Sequence, residues 1–367
     1  MSPSMSPKMM RRLERLPRVE LHLHLEGSVT LRRLRRLWPG RRRERGLPGD
    51  PAQAYRHRSF TDFLRHFAMV THALRKPTHL AQVTADLSRF LGRQRIVAAE
   101  VFLSAVIFTR RGVPFLEILD AVEEAARDGA RRGGPSIRWI LDGVRQWGVR
   151  ALEETLECAL SSRGRVLGIG LGGDERSVPA REFAALFAEA RRSGLRTVAH
   201  AGEFDGARSL RDAVEWLGAE RIGHGIRALE DPGVTRLLKR EGVPLDVCPS
   251  SNLGTGVVAR WRDHPLPRLV RSGMRVSLNS DDPALFRTSL AEEYRRAHRL
   301  LGFSPSALYR IHRQSLRASF LPEREKRRLL AESRRIWGGG AAGPEARERA
   351  SGREEKAIGR RTASGRA

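Results

Sequence analysis

Short apolar runs alternate with longer stretches of helical period along most of the chain. This is the pattern of repeated strand and helix units around a parallel sheet. Strands are predicted at residues 19–25, 96–103, 137–141, 166–171, 197–201, 221–224, 245–248 and 276–279. Amphipathic helical patterns at 115–131, 151–161, 180–193, 210–217 and 234–240 separate most of them. Eight parallel strands are the number that closes a (β/α)8 barrel, so the expected fold class is α/β, a TIM barrel.

The stretch 31–89, between the first two strands, is too long for one crossover helix and is expected to be a helical insertion. Because it leaves the end of strand one, Phe60, Phe63, Phe67 and Leu74 are candidates to roof a site there. Equally, they fit an ordinary amphipathic helix packed on the barrel. The two ends read differently from the middle. Residues 338–367 are rich in Gly, Ala and charge, with almost no large apolar side chain, and are expected to be a disordered basic tail. Residues 1–14 are expected to be flexible, leaving 15–337 as the folded domain.

Composition narrows the classes. The 367 residues carry 68 Lys and Arg against 42 Asp and Glu, a formal charge of +26. Nucleic acid or an acidic membrane would be the usual inference from that charge. However, only five basic residues are lysines, and the arginines are spread from end to end without a cluster interleaved with aromatics. The reading is a solvated Arg-rich surface and no nucleic-acid partner. The local exception is 32–45, where consecutive Arg41, Arg42 and Arg43 stand beside Pro39 and Gly40; it reads as a helix end and loop, with contact to an acidic partner as the lesser alternative. Two cysteines, Cys158 and Cys248, make no disulfide framework, which points to a cytoplasmic setting. The longest apolar segment, 96–108, is interrupted by Glu100 and is too short to span a bilayer.

Chemistry concentrates at strand ends. In His22-Leu23-His24 the two imidazoles point to one face of strand one while Leu23 points to the other. His200, His224 and the Asp281-Asp282 pair stand at the ends of strands five, six and eight. In a TIM barrel all these ends meet at one mouth. Imidazoles with a carboxylate form a borderline N/O donor set that suits zinc, with iron or cobalt also compatible. Such an ion lowers the pKa of bound water towards neutrality. Gly168-Ile169-Gly170-Leu171-Gly172-Gly173 matches the spacing G-x-G-x-x-G, but Asp174 and Glu175 follow where a pyrophosphate would dock. The glycines are therefore read as allowing close approach of backbone amides to a flat ligand. No H-E-x-x-H, C-x-x-C or G-x-S-x-G is present.

With these residues in place, the chain resembles the adenosine deaminases of the metal-dependent amidohydrolase superfamily. The motifs are VELHLHLEGSV at 19–29, GGDE at 172–175, HAGE at 200–203, RIGHGIRA at 221–228, CPSSNLGTG at 248–256 and LNSDDPALF at 278–286. The resemblance implies that His22, His24, His200 and Asp281 bind one Zn2+. It implies that Glu203 protonates the purine N1 and that His224 orients the attacking hydroxide and stabilises the developing alkoxide. Asp282 would recognise N7 and the Gly173 amide N3. The implied reaction is hydrolytic deamination of a 6-aminopurine nucleoside to the inosine-type product plus ammonia.

Substrate identity turns on departures from the pattern. Glu26 stands where adenosine-specific members typically carry Asp to contact the ribose, and CPSSNLGTG lacks the tryptophan of animal-type enzymes. Both departures resemble bacterial adenine deaminases and deaminases of aminodeoxyfutalosine in menaquinone synthesis. The segments 59–75 and LDGVRQWG at 141–148 look similar to the latter group. Arg145 is accordingly expected to clamp the carboxylate of a benzoate appended to the nucleoside, with Phe63 or Phe67 stacking on its ring. Adenosine and aminodeoxyfutalosine lead, adenine is third, and another metal-dependent hydrolysis on the same barrel is the alternative class.

Overall fold

A computed structural model describes residues 7–38, 55, 57 and 59–338. Eight parallel strands run in sheet order β1-β2-β3-β4-β5-β6-β7-β8. They are β1 Arg18–His24, β2 Ile96–Leu103, β3 Ser136–Val144, β4 Gly168–Gly172, β5 Arg196–Ala201, β6 Arg221–His224, β7 Leu245–Val247 and β8 Val276–Leu278. Each predicted strand lies within a few residues of an observed one. Most strand residues are buried on both faces, which explains why they read as continuous apolar runs.

The helices before β2 are α1 Pro7–Glu14, α2 Leu31–Leu37, α3 Phe60–Ala73 and α4 Pro77–Gly92. Between β2 and β6 stand α5 Ala105–Thr109, α6 Phe115–Arg131, α7 Val149–Ser161, α8 Ala184–Arg192 and α9 Ala207–Glu215. The remainder are α10 Pro232–Glu241, α11 Pro249–Gly254, α12 Leu266–Arg271, α13 Leu290–Leu301, α14 Pro305–Ala318 and α15 Glu323–Gly338. Local chemistry sets several boundaries. Ser59, Asp231, Ser289 and Ser304 cap helix N-termini through their side chains, and Gly242 and Gly302 end α10 and α13 in the left-handed conformation.

The seam between β8 and β1 closes the barrel. His24 N donates to Asp281 O at 2.9 Å and Asp281 N to His22 O at 3.0 Å, forming a parallel bridge between Leu23 and Asp281. The Asn279 side chain accepts Leu21 N at 2.9 Å on the same seam. Further along the barrel interior lies a buried charge layer. Arg221 Nη1 donates to Glu100 Oε2 at 2.6 Å, Nε donates to Asp246, and Nη2 donates to Leu21 O at 2.9 Å. The Phe320 ring, 4.4 Å from the guanidinium, stacks against it.

Two expectations change. Residues 7–14, read as part of a flexible end, form α1; Leu13 is buried and Arg12 Nη1 donates to Trp337 O at 3.0 Å. A few apolar residues in a basic segment suffice once α15 supplies the complementary surface. The predicted helix 180–193 divides into a 3-10 turn, Ala180–Phe183, and α8. The expected insertion contains α2, α3 and α4, but residues 39–45 of its arginine run lie outside the described residues, as does the tail from 339. No helix among the described residues is long and apolar enough to cross a membrane.

Candidate active site

Residues from six strand ends converge on one cavity. Its wall includes His24, Asp142, Gly173, His200, Glu203, His224, Asp281 and Asp282. It holds about 190 Å³, less than the roughly 760 Å³ surface groove between α4 and α6, but that groove is lined largely by small residues and has no group of metal-ligating side chains. Phe60, Phe63 and Phe67 of α3 line the site cavity, as expected of a roof, whereas Leu74 is buried in the core instead. Phe60 stacks on Phe204 with ring centroids 3.7 Å apart, joining α3 to the loop after β5.

The histidines and the aspartate meet in a small volume. One donor atom each of His22, His200, His224 and Asp281 lies within 4.8 Å of the others. His24 belongs to the same cluster, its Nε2 being 3.5 Å from Asp281 Oδ1, close to the 3.4 Å of His22 Nε2. His22 is fully buried, yet neither ring nitrogen has a hydrogen-bond partner. Burial pushes the pKa values of His22, His24 and His224 well below the ordinary range, so these imidazoles are neutral donors. A buried histidine with both nitrogens orphaned, among neutral imidazoles and a carboxylate, fits a borderline divalent cation such as zinc.

Backbone geometry makes this convergence possible. Gly223 on β6 leaves room for the His22 ring, because a Cβ there would sit 2.6 Å from His22 Cε1. His224 and Asp281 adopt left-handed φ values of 63° and 60°, which turn their side chains inward at the strand ends. Such conformations cost about 1–3 kcal/mol each for non-glycine residues and are concentrated at functional sites.

The two candidate imidazoles for the third ligand position differ in their surroundings. His224 Nε2 is 3.4 Å from Glu203 Oε2 and 3.8 Å from Asp281 Oδ2, and Asn252 Nδ2 lies 3.2 Å from its Nδ1. His24 Nδ1 instead faces Asp142 Oδ2 at 3.9 Å, and its ring stacks on Phe102.

Glu203 is buried, accepts Asn252 Nδ2 at 3.1 Å, and its carboxyl is pushed well above the usual range by burial and by Asp281 and Glu175. A carboxyl with raised proton affinity is suited to hold and deliver a proton. Asp282 is also raised, by burial and then by Asp281, and its Oδ1 has no hydrogen-bond partner. For Asp281, burial raises the proton affinity, but the facing imidazoles of His224 and His24 together with a hydrogen bond from Ser251 outweigh it and bring the carboxyl below its ordinary range. Gly173 adopts φ +96°, in reach of the cavity.

Two expected substrate contacts are not on the wall. Arg145 is 3% exposed and is committed to backbone carbonyls: Nη1 donates to Glu175 O at 3.0 Å and to Val178 O at 3.5 Å, and Nη2 donates to His200 O at 3.4 Å. The clamp expectation is corrected, because the guanidinium folds back under the β4 and β5 loops. Glu26 is fully buried and accepts Ser104 N at 2.9 Å; its Oε2 has no hydrogen-bond partner, and burial raises its pKa to about 7. It too lies off the cavity wall.

Sequence reading missed Asp142, Asn252 and Glu175 as parts of the site. Asp142 left a signal, a lone carboxylate in the apolar second half of β3, Trp139 to Val144. Asn252 and Glu175 lay inside quoted motifs, but their contacts arise only from tertiary structure.

The family model described as adenosine deaminase matches residues 17–335. An aminodeoxyfutalosine deaminase of Streptomyces avermitilis is 37% identical over 323 residues, 86% of this chain and 90% of that protein. An adenine deaminase of Cupriavidus necator is 35% identical over 329 residues, 89% of this chain and 93% of that protein. The crystal structure of an adenine deaminase from Arthrobacter aurescens superposes with a TM-score of 0.82 at 30% identity, covering 87% of this chain and 98% of that one.

Proposed function

The chain belongs to the adenosine deaminase family, and from that premise we propose that its substrate is a 6-aminopurine nucleoside with an extended 5′ substituent, of the aminodeoxyfutalosine type. Its reaction class is hydrolytic deamination, the hydrolysis of a C–N bond. The observation that carries the reading is Glu203, a buried carboxyl of raised proton affinity held in the same cavity as a cluster of metal-ligating imidazoles.

His22, His24, His200 and Asp281 would hold the ion, and His224 would not. Both nitrogens of His224 face other groups, Glu203 and Asn252, while His22 and His24 approach Asp281 more closely. A zinc-class ion, when bound, supplies a lowered water pKa. Glu203 holds the proton that passes to N1 as the water oxygen adds to C6. His224 orients the attacking oxygen and stabilises the charge that grows on it. The C6–N bond then breaks: of the two water protons, one passes by way of His224 to the amino group, which departs as ammonia, and the other returns to Glu203 as the carbonyl forms at C6. Asp282, protonated, donates to N7, and the Gly173 amide donates to N3.

Phe60, Phe63 and Phe67 supply an apolar wall for a flat substituent beyond the sugar. The relatives named aminodeoxyfutalosine deaminase support this substrate, which would give the enzyme a role in menaquinone synthesis. Adenosine is next. Adenine is the other reading, favoured by the Arthrobacter structure. Ammonia release on all three substrates, with Glu203→Gln as control, tests the proposal. Preference for aminodeoxyfutalosine, lost in Glu203→Gln, is the expected result. Preference for adenine selects the other reading, and no turnover with metal bound overturns deamination of these purines.

A further inference from the structure

We infer that Arg111 recognises an anionic substituent, a carboxylate or a phosphate, that the substrate carries beyond its purine and sugar. The inference rests on the deaminase reading above and replaces the role expected of Arg145.

Arg111 is the only arginine on the cavity wall among the described residues. The other titratable groups on the wall are the carboxyls of Asp142, Glu203, Asp281 and Asp282 and the imidazoles of His24, His200 and His224, all grouped around the candidate metal cluster. Arg111 makes no ion pair with any of them, nor with any other carboxylate among the described residues. Its neighbour Arg110 is different, donating through Nε and Nη2 to Glu154 at 2.7 and 3.1 Å while lying over the Trp147 ring. The guanidinium that faces the site thus has no carboxylate partner among the described residues.

Its position is nevertheless fixed. Arg111 follows α5 at the barrel mouth, and Nη1 donates to Thr71 O of α3 at 2.8 Å. That bond ties the loop after β2 to the helix that roofs the cavity. A guanidinium has five N–H donors, so this contact leaves a fork available for a bidentate acceptor. Partial burial and then the positive charge of Arg75 lower the Arg111 pKa, and an anion bound to the fork would oppose both effects. Ile107 and Val144 lie on the same wall, giving an apolar lining to the path.

The test compares kcat/KM for aminodeoxyfutalosine with that for its methyl ester, which masks the carboxylate, in the metal-loaded enzyme and in Arg111→Met. Adenosine 5′-monophosphate against adenosine forms a second pair that separates phosphate from carboxylate. The expected result is a preference of about tenfold or more for one anionic member, largely abolished in Arg111→Met and only partly restored in Arg111→Lys, whose ammonium lacks the planar fork. Equal rates on both members of both pairs overturn the inference, as does a preference that survives in Arg111→Met or an equal loss on charged and neutral members. Calorimetric titration with the deaminated acid and its ester makes the same comparison without turnover. Absent turnover with a charge preference in binding would sink the deaminase reading alone; turnover without any charge preference would sink Arg111 alone.

Discussion

The carboxylate of Glu175 accepts the backbone amide of Glu203 at 3.0 Å. The same carboxylate accepts Phe204 N at 2.8 Å and Asp205 N at 3.1 Å, and also the Gly202 amide and the Ser209 hydroxyl. One buried side chain thereby fixes the loop that carries the proposed proton donor, while Arg145 holds the Glu175 carbonyl from behind.

Glu175→Gln should lower kcat by about 10–100-fold, the usual cost of losing an outer partner of a catalytic group, with KM changed only a few-fold. The new amide group would point N–H towards N–H donors, loosening the loop without touching substrate. Steady-state kinetics decide it, and a loss confined to KM would refute the brace. Arg145→Ala should depress kcat alike on charged and neutral substrates, in contrast to Arg111→Met.

His24→Ala and His224→Ala should separate metal binding from catalysis. His24→Ala is expected to lose most of its bound metal after dialysis, whereas His224→Ala keeps it and loses kcat. Metal analysis of the two purified proteins is the check, and the reverse pattern would exchange their roles.

Arg221→Met should destabilise the barrel by about 3–5 kcal/mol, because Glu100 and Asp246 would remain buried without their counter-charge. Denaturant unfolding measures this. A variant of unchanged midpoint would mean that the interior charge layer contributes no net stability.

Glu293 gives the fold a pH dependence of definite sign. Burial raises its carboxyl from 4.5 to about 7 against the opposing bonds from Ser250 and Thr288. The folded state therefore keeps a proton that the unfolded chain has released. The associated stability is present below pH 4.5 and is lost as pH rises through about 7. In thermal unfolding of the metal-loaded protein, Glu293→Gln should show a smaller fall in Tm between pH 5.5 and pH 8.5 than the parent chain. An identical fall would show that Glu293 is not the group responsible.

Much of the architecture was legible because parallel strands buried on both faces leave unmistakable apolar runs. The same logic places His22, His24, His200, His224 and Asp281 at one mouth from strand ends alone. Arg145 was misjudged for a physical reason: position along a strand says that a side chain is near the mouth, but not whether it turns into the cavity or back towards backbone carbonyls. Arg111 went unnoticed because nothing distinguishes it in a chain so rich in arginine until its lack of a carboxylate partner can be seen. The left-handed turns at His224 and Asp281 were equally hidden, since neither residue is a glycine.

The backbone bonds linking His22 and His24 to Asp281 span nearly the whole folded chain, from its first strand to just beyond its last. During synthesis the nascent protein cannot assemble this site until the segment around residue 281 has emerged and docked beside β1. Any truncation that removes the final strand would thus remove catalytic competence and circular closure in a single stroke, so partial products of this polypeptide should be inert rather than weakly active.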